Sequence, residues 1–236
     1  MPHNRYYLDA PFQEEQCVVI AGEEFHHLTR VLRAKIGQRV ELINGRWQLA
    51  QTELVELTKH KATLHLIQVT TETRQKPPVI LAQALTRMNH LEWIIEKGTE
   101  LGASEFWLFP GHLSEKEGLT PTQSARLKHL AIAAMKQCGR LDLPEIEYKP
   151  PLLKWGPFPG TLLFGEPTGP YLWDFPLRPP LAEPIVIFIG PEGGFDGKES
   201  EFLCNTLKAK GIRLHSNILR AETASLTALS LIQQYL

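Results

Sequence analysis

Short apolar segments that alternate with polar residues fill the first part of the chain, up to about residue 70. This period of two residues is typical of half-buried strands. Asn44-Gly45 lies between two such segments and indicates a hairpin. One segment of helical spacing, about Glu23 to Leu32, follows the first strand. Strands are predicted at Cys17 to Ile20, Val40 to Ile43, Trp47 to Leu57 and Thr63 to Val69. Together these elements predict a small β-barrel.

A polar segment, Thr70 to Pro78, ends in two prolines and has the composition of a linker. Beyond it, apolar runs alternate with segments of helical spacing. Strands are predicted at Val79 to Leu85, Phe106 to Phe109, Thr161 to Phe164, Ile185 to Ile189 and Ile212 to Leu214. Helices are predicted from Leu91 to Leu101, ended by Gly102, from Thr122 to Cys138, ended by Gly139, from Asp196 to about Lys210, and from Ala221 to Tyr235. This alternation predicts an α/β domain with a mainly parallel sheet. We therefore expect two domains, residues 1–72 and 73–236.

Composition narrows the class of protein. The longest apolar run, Ile185 to Ile189, is too short to span a bilayer, and Met1 to Ala10 lacks the apolar segment of a secretory signal. We therefore expect a soluble protein of the cytosol. Cys17, Cys138 and Cys204 are odd in number and widely spaced, so we expect neither a disulfide framework nor a zinc site. Buried free thiols are the expectation for a reducing compartment.

The charge of the chain is almost balanced, with a formal net charge of -1. Indiscriminate binding of nucleic acid usually needs a basic excess, so an RNA partner would have to meet a local patch. Arg30, Arg33, Lys35 and Arg39 lie within ten residues that contain no acidic residue. This run is a candidate patch, although a solvated helix end would have the same composition.

One candidate for chemistry is the glycine-rich segment Ile189 to Phe195, which reads Ile-Gly-Pro-Glu-Gly-Gly-Phe and joins a buried strand to a helix. Ligands of open α/β sheets bind beyond the carboxyl ends of the strands. Glycines let the backbone approach a ligand closely. The spacing fits neither the dinucleotide fingerprint nor the P-loop, which argues against a phosphate cradle. A tight turn without a ligand would have the same composition, so both interpretations stay open.

The second candidate is the segment Leu214 to Ala224, which also joins a strand to a helix. Arg220 and Glu222 lie where this helix starts, and a positive charge is poorly placed against the helix dipole there. An arginine in this position indicates a role beyond stability. A surface pair of Arg220 with Glu222, or a cap by Thr223, is the alternative.

These two segments together resemble the ribosomal RNA small subunit methyltransferase E family of the knotted SPOUT superfamily. The first carries Gly-Pro-Glu-Gly-Gly-Phe and the second Leu-Arg-Ala-Glu-Thr-Ala, about 25 residues later. The resemblance covers nearly the whole chain. Further matches are Arg30-Val31-Leu32-Arg33, Glu100-Leu101-Gly102, the segment from Ala133 to Arg140, and Pro144-Glu145-Ile146.

The resemblance implies a specific architecture and reaction. The N-terminal part would be a PUA-like β-barrel that binds RNA, and the C-terminal part a SPOUT-type α/β domain with a trefoil knot, an exception among folds. The protein would be a homodimer that uses S-adenosylmethionine, without a metal, to methylate N3 of a uridine in 16S ribosomal RNA of the small ribosomal subunit. Neither a membrane nor a metal is expected as a partner.

The resemblance also implies roles for residues. Arg220 would stabilise the anionic uracil oxygens, and either Glu192 or Glu222 would accept the N3 proton or orient Arg220. Moving the target base out of its stack costs free energy. This cost is expected to be offset by contacts from Arg30, Arg33 and Arg140 to flanking RNA. The cofactor contacts would come from Gly165, Glu166, Gly190, Pro191, Gly193, Gly194, Leu214, His215, Ser216 and Leu219.

Several positions depart from the family pattern. His215 and Asn217 stand where the family usually has Gly and Arg, and His215 could crowd the cofactor loop. His112-Leu113-Ser114 replaces Glu-Arg-Ser, and Asn89-His90 lies where a Lys is expected. These departures keep two alternatives open: a non-catalytic RNA-binding or ribosome-assembly factor on the same fold, or a methyltransferase that acts on a different RNA.

Overall fold

The computed structural model describes residues 4–175 and 183–236. The chain divides into two compact units, each described here by itself. The first comprises Met1–Thr73 and Ile132–Leu143, and the second comprises Arg74–Ala131 and Pro144–Leu236. The first unit thus takes in a segment that the sequence-based division between residues 72 and 73 assigns to the second.

The first unit is built on one mixed sheet of five strands. In chain order its elements are β1 (Arg5–Tyr7), β2 (Cys17–Ala21), α1 (Gly22–His26) continued by a π-helical turn (His27–Val31), β3 (Arg39–Ile43), β4 (Gln48–Leu57) and β5 (Lys61–Thr71). The strand order is β1-β3-β4-β5-β2. The β1–β3 pair is parallel, and the others are antiparallel. The four strands and the helix expected from the sequence are therefore present, and β1, only three residues long, is additional.

Alternation of buried and exposed positions explains why the strands of this unit pair as they do. Ala62, Leu64 and Leu66 of β5 are fully buried, while the residues between them are partly exposed. The predicted hairpin turn is also present. The Asn44 side-chain oxygen accepts the Arg46 backbone N–H at 2.8 Å, and Gly45 has a φ of 72° that suits glycine.

The second unit contains a six-stranded sheet in which every pair of neighbours is parallel. Its elements are β6 (Val79–Ala84), α2 (Met88–Glu100), β7 (Glu105–Phe109), the part of α3 (Pro121–Cys138) up to Ala131, β8 (Glu145–Tyr148), β9 (Thr161–Gly165), β10 (Ile185–Ile189), α4 (Gly197–Asn205), β11 (Lys210–Ile212) and α5 (Ala221–Tyr235). The strand order is β11-β9-β10-β6-β7-β8. The predicted α/β class with a parallel sheet is confirmed.

Burial explains the central strands of this sheet. All residues of β6 and β10 are buried, as expected for strands that are covered on both faces. Helix α2 ends before Gly102, whose φ of +86° is the left-handed conformation expected at a helix end.

Two predicted boundaries in the second unit are wrong. Helix α4 ends at Asn205 instead of continuing to Lys210, and Lys208 adopts a φ of 59° that a helix does not allow. The next strand is β11, Lys210–Ile212, rather than Ile212 to Leu214, because its pairing with β9 fixes its register there. The sequence also gave no prediction of β8, a strand of four residues that contains two glutamates.

The free cysteines differ from expectation, because Cys17, Cys138 and Cys204 are exposed rather than buried. Within residues 4–175 and 183–236, no helix is long and apolar enough to cross a membrane. Passage of α5 through a loop to form a knot stays a prediction.

Candidate functional site

A cavity of about 360 Å³ lies in the second unit where three parallel strands end. Gly165 at the end of β9, Gly190 after β10 and Ile212 at the end of β11 all line it. This is the edge of an α/β sheet at which ligands bind. Strand β9 lies between β10 and β11 in the sheet, so the loops that follow these strands meet at one place.

The turn after β10 forms one wall of the cavity. A Cβ atom at Gly190 would lie 2.8 Å from the carbonyl carbon of Gly194, so the turn folds back on itself too closely for a side chain. Gly194 has a φ of 75° and donates its N–H to the Pro191 carbonyl at 2.9 Å. Two of the glycines predicted to let the backbone line a ligand site, Gly190 and Gly194, are therefore required by the shape of this turn.

A carboxylate that the sequence did not single out fixes the helix after this turn. Glu199 is 2% exposed and forms a capping box with Asp196, whose side chain accepts the Glu199 N–H at 2.7 Å. Glu199 Oε1 also accepts the backbone N–H of His112 at 3.0 Å, and His112 Nδ1 lies 2.9 Å from Asp196 Oδ2. The loop that departs from the family pattern at His112 thereby packs onto the start of α4.

The segment after β11 also lines the cavity, and its two unusual residues bond to each other. His215 Nδ1 accepts the Asn217 backbone N–H at 3.0 Å. Arg213 Nε donates to the His215 carbonyl at 3.0 Å, and Arg213 Nη2 donates to the Ser216 carbonyl at 2.9 Å. His215 and Asn217 line the cavity. The imidazole is thus engaged within its own loop.

The structure brings together most of the residues predicted to contact a cofactor. Nine of the ten, all except Ser216, line the cavity: Gly165, Glu166, Gly190, Pro191, Gly193, Gly194, Leu214, His215 and Leu219. The Ser216 carbonyl accepts from Arg213. Whether the nine lining residues contact a cofactor stays a prediction.

The chemistry of the lining is mixed, with apolar side chains beside backbone polar groups and the carboxylates of Glu166 and Glu192. Ile189, Ile212 and Leu219 supply apolar surface. Glu166 Oε1 accepts the Thr168 N–H at 3.1 Å and its hydroxyl at 2.9 Å, so this carboxylate is held in place at the rim. Small-molecule sites typically have about 300–1,000 Å³ and such a combination of apolar walls and few polar groups.

A buried polar pair that bonds to the glycine turn was also not foreseen. Gln83 lies in β6 and is fully buried, and its Nε2 donates to the Ala84 carbonyl at 2.8 Å and the Gly190 carbonyl at 3.4 Å. The hydroxyl of Ser225, also fully buried, lies within hydrogen-bonding reach of Gln83 Oε1 and the Ala221 carbonyl. Gln83 thereby ties β6 to the glycine turn and to the start of α5. The one signal in the sequence was a glutamine within an apolar strand.

The two candidate proton acceptors lie against a histidine. Glu192 Oε1 is 3.3 Å from His90 Nδ1, and Glu222 Oε2 is 3.7 Å from the same atom. Glu192 lines the cavity, and Glu222 lies in the first turn of α5. Glu222 is the more buried, with 15% of its side chain exposed against 36% for Glu192. The sequence identified both carboxylates and did not identify their shared neighbour.

Arg220 directly precedes α5 as its N-cap residue, and its side chain is exposed. Among the described residues it forms no ion pair with Glu192 or Glu222, so the expected orientation of Arg220 by a carboxylate is not seen. Ala221, the next residue, lines the cavity. Arg220 is therefore a cation beside the cavity whose guanidinium is free to meet an anion.

The three predicted RNA contacts lie in the first unit in different environments. Arg30 and Arg33 are exposed, and no ion pair engages them within the described part of the chain. Arg140 is held by Asp142, with Nε–Oδ1 and Nη2–Oδ2 distances of 3.1 and 2.6 Å, and only 13% of its side chain is exposed. This bidentate pair gives Arg140 a structural partner, whereas Arg30 and Arg33 are exposed to solvent.

Family models match both parts of the chain. A model described as an RNA methyltransferase domain matches residues 73–233, and one described as an RNA methyltransferase PUA domain matches residues 20–67. The predicted PUA-like character of the N-terminal part is thereby confirmed.

Relatives and solved structures agree with these models. The ribosomal RNA small subunit methyltransferase E of Bacillus subtilis is 30% identical over 97% of this chain and 95% of its own length. That of Rickettsia conorii is 27% identical over 99% and 96%. The crystal structure of the Neisseria gonorrhoeae protein of the same name, bound to S-adenosylmethionine, has a TM-score of 0.85 at 25% identity and covers 98% of this chain and 97% of its own.

Proposed function

The chain belongs to the ribosomal RNA small subunit methyltransferase E family, and on this premise we propose that it transfers a methyl group from S-adenosylmethionine to N3 of a uridine in 16S ribosomal RNA. The observation that carries the proposal is the cavity at the carboxyl ends of β9, β10 and β11, with the glycine turn on one side and Arg220 beside it. A cavity lined by backbone and a neighbouring exposed cation fit this reaction better than they fit a passive RNA-binding surface.

The lining fits S-adenosylmethionine. Adenine needs apolar walls and backbone hydrogen-bonding groups, which Ile189, Leu219 and the Gly190–Gly194 turn supply. Ribose hydroxyls are bound well by a carboxylate, as in other α/β nucleotide sites, and Glu166 is placed at the rim for this role. His215 does not argue against binding, since its ring is bonded to Asn217 within the loop.

The chemistry divides between the donor and the protein. When bound, S-adenosylmethionine supplies a methyl group on a sulfonium, so that the N3 electron pair forms the new N–C bond while the C–S pair stays with sulfur. The protein aligns the two partners, which by itself can account for much of the rate. Arg220 stabilises the negative charge that spreads to the uracil oxygens when N3 loses its proton. Glu192 and Glu222 lie on the side of the cavity where α5 begins and belong to the machinery that handles this proton.

The RNA is held by the first unit in this proposal. Arg30, Arg33, Lys35 and Arg39 are exposed and lie within the PUA-matched residues, with no acidic residue among them. Arginine and lysine contacts to phosphates position an RNA without reading its sequence. The homodimer and the cytoplasmic location are parts of the same proposal. The homodimer and the cytoplasmic location are inferred from the family and from the ribosomal substrate. Sedimentation of the purified protein tests whether it is a homodimer.

Two measurements on one preparation test the function. Calorimetry with S-adenosylmethionine should give a saturable one-site isotherm, and the purified protein should methylate N3 of a uridine in small ribosomal subunits isolated from a strain that lacks the gene. Cofactor binding with methylation of a different RNA would overturn the 16S assignment. Absence of cofactor binding would favour a non-catalytic RNA-binding factor and would refute the proposal.

A further inference from the structure

His90 lies where two carboxylates from distant parts of the chain converge. It is the third residue of α2, while Glu192 comes from the turn after β10 and Glu222 from the start of α5. Both carboxylates face the same ring atom, Nδ1, at 3.3 and 3.7 Å. Two anions against one nitrogen favour a proton on that nitrogen, because a bare Nδ1 lone pair would face the carboxylate oxygens.

The charges around this ring are few and can be named. Glu192 Oε1 also accepts the backbone N–H of Arg87 at 3.2 Å. The guanidinium of Arg87 is occupied by Glu115, whose pKa it lowers by hydrogen bonding and by its charge. Glu222 Oε2 is buried and has no hydrogen-bond partner among the described residues, although it lies within 4 Å of His90 Nδ1. The imidazole is thus the group positioned to serve both carboxylates.

The other ring nitrogen of His90, Nε2, is available to take part in the reaction. A proton on Nδ1 makes Nε2 an acceptor, since a neutral imidazole carries one proton. No hydrogen bond or ion pair engages Nε2 within residues 4–175 and 183–236, and 24% of the side chain is exposed. A carboxylate that fixes the tautomer of a histidine and stabilises the imidazolium is the arrangement that makes histidine an effective general base.

We infer that His90, acting in the reaction proposed above, is the general base that removes the N3 proton of the target uridine. The proton passes from N3 to Nε2, the electron pair stays on N3 for the methyl group, and the imidazolium later releases the proton to solvent. Glu192 and Glu222 are positioning residues: Glu192 accepts Nδ1–H at 3.3 Å, and the charge of Glu222 at 3.7 Å helps to stabilise the imidazolium.

Replacement of His90 by asparagine distinguishes a general base from a residue that only bridges the two carboxylates. The amide nitrogen of Asn can take the place of Nδ1–H toward the two carboxylates, but Asn has nothing at the place of Nε2. We expect His90→Asn to lower kcat by about 100-fold or more, the range for loss of a general base, with cofactor affinity changed by less than about threefold. Retention of kcat would show a bridging role only and would overturn the inference.

A more acidic substrate sharpens this test. RNA that carries 5-fluorouridine loses its N3 proton more readily, so a missing base matters less. The loss of kcat in His90→Asn should shrink at least about tenfold on this RNA. An equal loss on both RNAs would contradict a role in proton removal. His65, 3.4 Å from Glu15 in the first unit, is the matched control, and His65→Asn should methylate at the parent rate.

The tautomer of His90 can be measured in the protein without cofactor or RNA. In ¹⁵N NMR spectra of histidine-labelled protein at alkaline pH, His90 should show the Nδ1–H tautomer, and Glu192→Gln/Glu222→Gln should shift it toward Nε2–H. His215, whose Nδ1 accepts from Asn217, is an internal reference for the opposite tautomer. An Nε2–H tautomer of His90 would overturn the inference. Failure of the proposed function looks different, since the parent protein itself would then leave the uridine unmethylated.

Discussion

His215 Nδ1 accepts the backbone N–H of Asn217 at 3.0 Å, so the two residues that depart from the family pattern in the second loop stabilise each other. The sequence alone suggested that an imidazole in place of glycine would crowd the cofactor site. The structure instead gives this ring a partner within the loop, at the wall of the cavity.

We expect His215→Ala to lower the affinity for S-adenosylmethionine by about 3- to 10-fold, because the bound state must then order a loop that has lost a hydrogen bond of about 1 kcal/mol. Asn217→Ala is the matched control. It keeps the backbone N–H that bonds to His215 and should bind within about twofold of the parent. Calorimetry measures both. Tighter binding by His215→Ala would mean that the ring obstructs the cavity.

The buried contact between Gln83 and Ser225 makes a prediction about stability. Gln83→Leu should lower the free energy of unfolding by about 1–3 kcal/mol, because the Gly190 carbonyl loses the Gln83 donor and the Ser225 hydroxyl loses one of its two buried partners. Adding Ser225→Ala to that variant should recover part of the loss, since both polar groups are then removed. Urea unfolding measures each variant. A double variant less stable than the sum of the two single changes would contradict this explanation.

Burial of Tyr6 predicts how stability changes at alkaline pH. Burial, with a smaller contribution from the charge of Glu24, raises the pKa of Tyr6 to about 12 from its ordinary 10.0. The folded form therefore keeps the phenol proton where the unfolded form loses it. The contribution of the protonated Tyr6 phenol to the free energy of unfolding is complete below pH 10. The free energy of unfolding falls by roughly 2–3 kcal/mol as the pH rises to about 12.

Tyr6→Phe should remove this alkaline loss. At neutral pH it should be as stable as the parent or more so, because the Tyr6 hydroxyl is buried without a hydrogen-bond partner among the described residues. Urea unfolding at pH 8, 10 and 11 measures the slope. Tyr235→Phe, at an exposed position, is the control and should leave the slope of the parent unchanged. An unaltered slope in Tyr6→Phe would show that another group titrates.

The exposed basic residues of the first unit predict a salt dependence. Arg30→Ala/Arg33→Ala should bind 16S ribosomal RNA about tenfold more weakly and reduce the slope of log affinity against log salt by about 1 to 2, as expected for the loss of two phosphate contacts. Lys59→Ala, at an exposed turn between β4 and β5, is the control. Filter binding at several salt concentrations measures both. A slope unchanged in the double variant would place the RNA elsewhere.

Much of the second unit could be predicted because its elements are long or uniformly apolar. Strand β10 at Ile185–Ile189 and helix α5 at Ala221–Tyr235 have the predicted bounds. Continuous burial produces an apolar run and one-sided burial produces a helical period, and both leave a clear pattern. Strand β8 lies at the edge of the sheet and is short and charged, so it leaves none.

The sequence predicted only those parts of the site whose residues are neighbours along the chain. The glycine turn and the loop after β11 are each continuous, and their composition indicated a ligand. The pairing of His90 with Glu192 and Glu222 joins residues more than 100 positions apart, so only the fold reveals it. The exposure of Cys17, Cys138 and Cys204 likewise depends on packing, which residue type alone does not determine.

Substitution of Arg220 tests the central claim most directly. In a methylation assay on small ribosomal subunits, Arg220→Ala should lower kcat by about 100- to 1,000-fold, the range for loss of one charge-stabilising donor, while calorimetry shows cofactor affinity within about threefold of the parent. Arg126→Ala, which removes an exposed arginine paired with Glu92, should methylate at the parent rate. An Arg220→Ala protein that methylates as fast as the parent would contradict the account.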